Sequence, residues 1–265
     1  MDNNTHAVLN QFFGAEIQYF YNHYAKEDPK RKIEIVLAAE SIYEAIMHQN
    51  ISKIQKSIIE KQGKRVTDNL NGLVILCKDI SRDGIKVLFS LQAIGDYLSK
   101  DDYFTPLGTI IHEFTHANDF IDFAEYLGET DSEVVMSNEY WFTVQMWSEF
   151  HARRNGFLRV LNAATNETLS FPEDYYEHEI ELIRTRWKKQ LEENELYELM
   201  QLCGRYSVIE EVFSDKTSGF NNDLLKGVYS GAKLFVGNQI YRFCKDHQSF
   251  EVFVNDMDDL KSLIT

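Results

Sequence analysis

The sequence predicts a mostly helical α+β fold with a small sheet packed before a long helix, in a single compact domain over residues 1–265. Most segments carry apolar residues at three- and four-residue steps, which is the period of an amphipathic helix. Two short β-branched runs, residues 73–77 and 85–90, predict neighbouring strands joined by a turn. With only 3 Pro and 13 Gly, the chain shows no linker that would separate domains.

The N-terminal part, residues 1–65, is expected to be mainly helical. Residues 6–24 are rich in Phe and Tyr, and within them residues 17–21 fit a strand and a helix equally well. Residues 33–61 carry Ile, Leu and Ala at helical spacing and predict one or two amphipathic helices.

The middle part, residues 66–165, contains both predicted strands and then a long helix. Thr105 supplies an N-cap hydroxyl and Pro106 suits the first helical position. Apolar residues then recur at helical steps, and no glycine or proline follows until Gly128. The sequence therefore predicts a helix from this cap to Gly128.

Inside that helix lies the run His112-Glu113-Phe114-Thr115-His116. At ~100° per residue the two histidines lie about 40° apart on one face, so both imidazoles can reach one ion while the glutamate flanks them. With 8 His and 24 Glu in 265 residues, about 0.02 such matches are expected by chance. The run predicts a zinc site, and the alternative is a solvated polar stripe on a helix.

His112, Glu113 and His116 together resemble the motif of the zincins, the zinc metallopeptidases whose active-site helix carries H-E-x-x-H. The resemblance covers the helix and its flanks. It implies a sheet that backs the helix, Zn²⁺ as the cofactor, a protein or peptide as the substrate, and Glu113 as the general base that activates water for peptide hydrolysis.

A catalytic zinc takes three protein ligands and keeps a fourth position open, so one more ligand is needed. The gluzincin branch of zincins takes it from a glutamate on the next long helix, and Glu149 matches this position. The metzincin branch would use Asp122, but only if the helix ended at Asp119, where the sequence has no glycine. We prefer Glu149, with Asp122 as the alternative and His151 as a fallback ligand.

Glu149 lies in a predicted helix over residues 137–161, in which Trp147 is expected to be a core residue. Gluzincins often carry an acid four residues after the ligand, and here Arg153 takes that position. The alternative reading of Glu149 is an ordinary i,i+4 ion pair with Arg153, which is compatible with metal binding.

The C-terminal part, residues 166–265, is expected to be helical. A turn at Pro172 precedes a predicted helix over residues 173–202, which we expect residues 204–206 to interrupt. Residues 223–264 also carry helical spacing.

Composition limits the classes of partner that the protein can bind and indicates its compartment. A net charge of −15 and a pI near 5.0 argue against a nucleic-acid or anionic-membrane partner. No apolar run approaches the length of a membrane span, and no secretory signal is visible. Cys77, Cys203 and Cys244 are odd in number and widely spaced, which predicts reduced thiols in a cytoplasmic protein rather than metal ligands.

The resemblance thus implies a gluzincin-like zinc metallopeptidase, and the composition indicates that it works inside the cell; two alternatives stay open. One is a non-catalytic regulatory or protein-interaction module stabilised by zinc, for which a fourth protein ligand such as His151 or Asp119 would be expected. The other is a helical protein without metal. No segment indicates the substrate's sequence or the oligomeric state.

Overall fold

The computed structural model describes residues 3–25, 32–227 and 229–265. The chain folds as two compact units, Met1–Trp141 and Phe142–Thr265. The predicted class is confirmed, because helices dominate and the strands form a small mixed sheet. In the described part of the chain, no helix is both long and apolar enough to cross a bilayer.

The first unit contains a three-stranded sheet with helices on both of its faces. Its strands are β1 (Ile33–Ala38), β2 (Gly72–Leu76) and β3 (Ile85–Ser90). Its helices are α1 (Asn3–His23), α2 (Ile42–Met47), α3 (Lys53–Gln62), α4 (Lys64–Thr67), α5 (Ile80–Asp83), α6 (Leu91–Leu98), α7 (Phe104–Leu127) and α8 (Ser132–Ser137).

Strand β3 is the centre of the sheet, pairing in parallel with β1 and antiparallel with β2. Its near-continuous apolar sequence suits a strand that is covered on both faces. On one face Ile75 and Leu88 pack against α2 and α3. On the other face Phe89 contacts Phe13 of α1, with ring centroids 5.0 Å apart, and α7 packs against α1, β2 and β3.

The two predicted strands are confirmed as β2 and β3, whereas the prediction of a helix from residue 33 is wrong. Ile33–Ala38 forms β1, in register with Ile85–Ser90. Its β-branched residues favour an extended chain, and pairing with the buried strand β3 stabilises that conformation. The helices expected after it are present as α2 and α3, and residues 17–21, which fitted either state, are helical within α1.

The second unit is built from helices. These are α9 (Trp141–Ala164), α10 (Tyr175–Glu193), α11 (Glu195–Val212), α12 (Phe220–Asp223), α13 (Gly231–Asp246), α14 (Phe250–Phe253) and α15 (Met257–Ile264). Short 3₁₀ turns lie at Leu225–Gly227 and Val254–Asp256.

Trp147 anchors the core of this second unit. Its side chain is fully buried and stacks on Phe253, with ring centroids 4.3 Å apart and planes 6° apart. Its indole Nε1 donates a hydrogen bond to the His247 carbonyl at 2.7 Å, which satisfies the buried polar atom. The predicted core role of Trp147 is confirmed.

The predicted break at residues 204–206 is wrong, because α11 runs unbroken from Glu195 to Val212. A Cβ at Gly204 would collide with the Phe150 carbonyl oxygen of α9 and lie 3.0 Å from Arg153 Cβ. Gly204 therefore serves the close approach of α11 to α9 instead of ending the helix.

Candidate metal centre

His112 and His116 project from α7 so that their ring nitrogens converge. The two Nε2 atoms lie 3.1 Å apart, and the rings are nearly perpendicular at 89°. A tetrahedral zinc with Zn–N bonds of about 2.0–2.1 Å would place two imidazole nitrogens about 3.3 Å apart. The pair therefore fits a single shared ion.

The surroundings hold His116 in this orientation. Its side chain is buried, and its ring stacks on Phe120 with centroids 5.7 Å apart. Phe120 in turn contacts Trp141, with centroids 4.8 Å apart. A ligand ring packed in this way loses little freedom when it binds a metal.

The ends of α7 differ in part from the prediction. The helix begins at Phe104, and the cap is the Asp102 carboxylate, which accepts bonds from the N–H groups of Phe104 at 3.1 Å and Thr105 at 3.0 Å. Thr105 is thus inside the first turn and is not the N-cap. The predicted end at Gly128 is confirmed, since this residue has φ 67°, in the left-handed region that glycine favours.

Because α7 continues to Leu127, it passes through Asp119 without the turn that a metzincin-like third ligand requires. Asp122 stays on the helix, and its Oδ2 accepts a hydrogen bond from Asn118 Nδ2 at 2.9 Å. The structure therefore does not provide the chain reversal on which the Asp122 alternative depends.

Glu149 lies on α9 and is only 5% exposed. One ligand atom each from His112, His116 and Glu149 lie within 4.8 Å of one another. Two imidazole nitrogens and a carboxylate oxygen form a donor set that zinc accepts. These three residues, all identified from the sequence, can hold a metal ion.

Gln201 on α11 is a partner of Glu149 that the sequence did not reveal. Its Nε2 donates to Glu149 Oε1 at 2.7 Å, and its Oε1 accepts a hydrogen bond from Arg153 Nη2. The Gln201 amide therefore bridges Arg153 and Glu149. Gln201 is 52 residues from Glu149 in the chain, so no local spacing pointed to it.

Glu113, the residue that follows the first histidine, lies against the start of β2. A Cβ at Gly72 would be 2.7 Å from Glu113 Cγ and 3.1 Å from its Cδ. The strand can approach the Glu113 side chain this closely only because residue 72 is glycine. Gly72 is the second residue of this region that the sequence did not reveal.

Replacing Gly72 with Ala should displace the Glu113 carboxylate without touching a metal ligand. If Glu113 is the general base that the zincin resemblance implies, peptide hydrolysis should fall about 10- to 100-fold, because small misplacements of a reacting group are costly, while zinc content stays at the wild-type level. Gly95→Ala is the matched control, since a Cβ there meets nothing within 4 Å. Wild-type activity in Gly72→Ala would contradict the placement of Glu113 against β2.

All three cysteines are free and buried. Burial raises the pKa of Cys77 to about 11 and raises the pKa values of Cys203 and Cys244 above their ordinary range. Protonated thiols are poor metal ligands. None of the three belongs to the group formed by His112, His116 and Glu149.

No family profile matches the chain, and no curated protein or solved structure matches it either.

Proposed function

We propose that the protein is a gluzincin-like zinc metallopeptidase in which His112, His116 and Glu149 bind one zinc ion and Glu113 is the general base. The observation that carries the proposal is the convergence of two imidazoles and one carboxylate within 4.8 Å. The helix that presents both imidazoles also carries Glu113, in the order that the zincin motif requires.

When bound, zinc supplies a Lewis acid that polarises the scissile carbonyl and lowers the pKa of a coordinated water. Glu113 lies ~100° around α7 from His112, which is off the ligand face but within reach of a water beside it. Its carboxylate accepts a proton from the attacking water and delivers it to the leaving amine. The Gly72 backbone gives the Glu113 side chain the space that this position needs.

The number of protein ligands favours an enzyme over a structural zinc module. Structural zinc sites usually have four protein ligands, whereas catalytic sites have three and keep one position open. Within the described residues, the group that can hold a metal comprises His112, His116 and Glu149. A group of three protein ligands supports a catalytic zinc site.

The proposed substrate is a protein or peptide, and the proposed compartment is the cytoplasm. The three free cysteines suit a reducing compartment. The net charge of −15 disfavours binding to nucleic acid or to an anionic membrane surface.

The proposal is tested by measuring metal content and peptide cleavage on the same purified chain. We expect about one zinc per chain by mass spectrometry, as for a single catalytic site. A proteome-derived peptide library should be cleaved, cleavage should stop on chelation, and added zinc should restore it. A chain that binds zinc but cleaves no peptide would support the interaction module, and a chain that binds no zinc would overturn the site itself.

A further inference from the structure

We infer that Gln201 is a positioning residue whose side-chain amide sets the orientation of the Glu149 carboxylate for metal binding. The inference rests on the proposed function, because it assigns a role toward the third ligand. Gln201 lies on α11, and its partners Glu149 and Arg153 lie on α9, within the second unit.

The direction of the Gln201 amide follows from the chemistry of its two partners. The Arg153 guanidinium has only donors, so it must face the amide oxygen, which turns the NH₂ group toward Glu149. The carboxylate of Glu149 then accepts at Oε1, at 2.7 Å. A charge-assisted bond of this kind is shorter and stronger than a neutral one.

Burial makes the arrangement rigid. Glu149 is 5% exposed and Gln201 7% exposed, so water does not easily replace either bond. With Oε1 held by Gln201, rotation of the carboxylate is restricted before any metal arrives. Outer-sphere hydrogen bonds of this type orient metal ligands and raise metal affinity.

The packing of α11 explains why Gln201 can reach α9. Gly204 lies three residues after Gln201, on the adjacent turn of the helix, and its missing side chain lets α11 approach the Phe150 carbonyl of α9. The gluzincin pattern often places an acid four residues after the ligand, where this chain has Arg153. In this chain Gln201 of α11 orients Glu149, and Arg153 orients Gln201 in turn.

The test is the zinc dissociation constant of Gln201→Met, measured by chelator competition. Methionine keeps the length of the side chain but removes the donor to Glu149, so we expect zinc to bind about 10- to 100-fold more weakly. Gln55→Met is the matched control. Gln55 is also buried and makes two hydrogen bonds, to the Val74 carbonyl at 3.1 Å and from the Leu76 N–H at 2.9 Å. We expect wild-type zinc affinity in this control.

Two further variants separate positioning from a general loss of structure. Gln201→Glu keeps a partner for Arg153 yet cannot donate to an ionised Glu149, so zinc should again bind more weakly. In a Glu149→Ala background, Gln201→Met should cause no additional loss, because the role of Gln201 acts through Glu149.

Wild-type affinity in both Gln201 variants, an equal loss in Gln55→Met, or an additive loss in the Glu149→Ala background would each overturn the inference. A wild-type chain that binds no zinc would instead overturn the proposed function on which the inference rests.

Discussion

Glu113→Gln should keep the zinc and the fold while peptide hydrolysis falls about 100- to 10,000-fold, the usual cost of losing a general base. Glutamine has nearly the shape of glutamate and can still accept a hydrogen bond from water. It cannot take a proton, so the attacking water stays poorly nucleophilic. Because Glu113 is not in the group that can hold the metal, zinc affinity should not change.

The comparison requires kcat/KM for one cleaved peptide, measured at equal zinc content in both proteins. Glu125→Gln provides the control, because Glu125 is an exposed residue of the same helix. A Glu113→Gln variant that cleaves as fast as the wild type would show that Glu113 is not the base.

Glu149→Ala should weaken zinc binding more than about 100-fold, beyond the usual effect of losing an outer-sphere partner. Asp122→Ala should leave zinc affinity close to that of the wild type. Along the continuous helix α7, Asp122 points ~80° away from His112 and about 120° away from His116. Its carboxylate therefore cannot share their ion while the helix is intact.

Both variants can be titrated with zinc against the same chelator, so that the ranking does not depend on absolute values. The second variant removes the hydrogen bond that Asn118 Nδ2 donates to Asp122 Oδ2. If Asp122→Ala lost more affinity than Glu149→Ala, the third ligand would be Asp122 and α7 would have to break near Asp119.

Features set by local spacing were predictable from the sequence. The His112 and His116 pair is an i,i+4 relation, so a helix alone brings the two rings together. Gly128 ends α7 because glycine adopts the left-handed conformation that its C-terminus requires. Glu149 was predicted as a ligand through the resemblance to gluzincins and not through a local pattern.

Features set by tertiary contacts were not predictable. Gln201 donates a hydrogen bond to Glu149, and Gly72 lies against the Glu113 side chain. The two residues of each pair are distant from one another in the chain, so no local pattern points to either contact. Strand β1 looked helical because its apolar residues fit both periods, and only its parallel pairing with β3 decides between them.

Two predictions, the helix break at Gly204 and the N-cap at Thr105, were wrong for the same reason. The same residue type can take more than one structural role. Gly204 looks like a helix breaker in the sequence, yet in the structure it allows two helices to pack closely. Thr105 looks like an N-cap, yet Asp102 caps the helix with both of its carboxylate oxygens, one of them bonded to the Thr105 hydroxyl at 2.8 Å. Which role each residue takes depends on the course of the backbone in the folded protein, which the local sequence does not determine.

Zinc K-edge X-ray absorption on the purified chain tests the central claim most directly, because it reports the atoms around the metal. The account predicts a first shell of nitrogen and oxygen only, with two imidazoles at about 2.0–2.1 Å and no sulphur. A sulphur ligand, a third imidazole, or a chain without bound zinc would contradict a centre built from His112, His116 and Glu149.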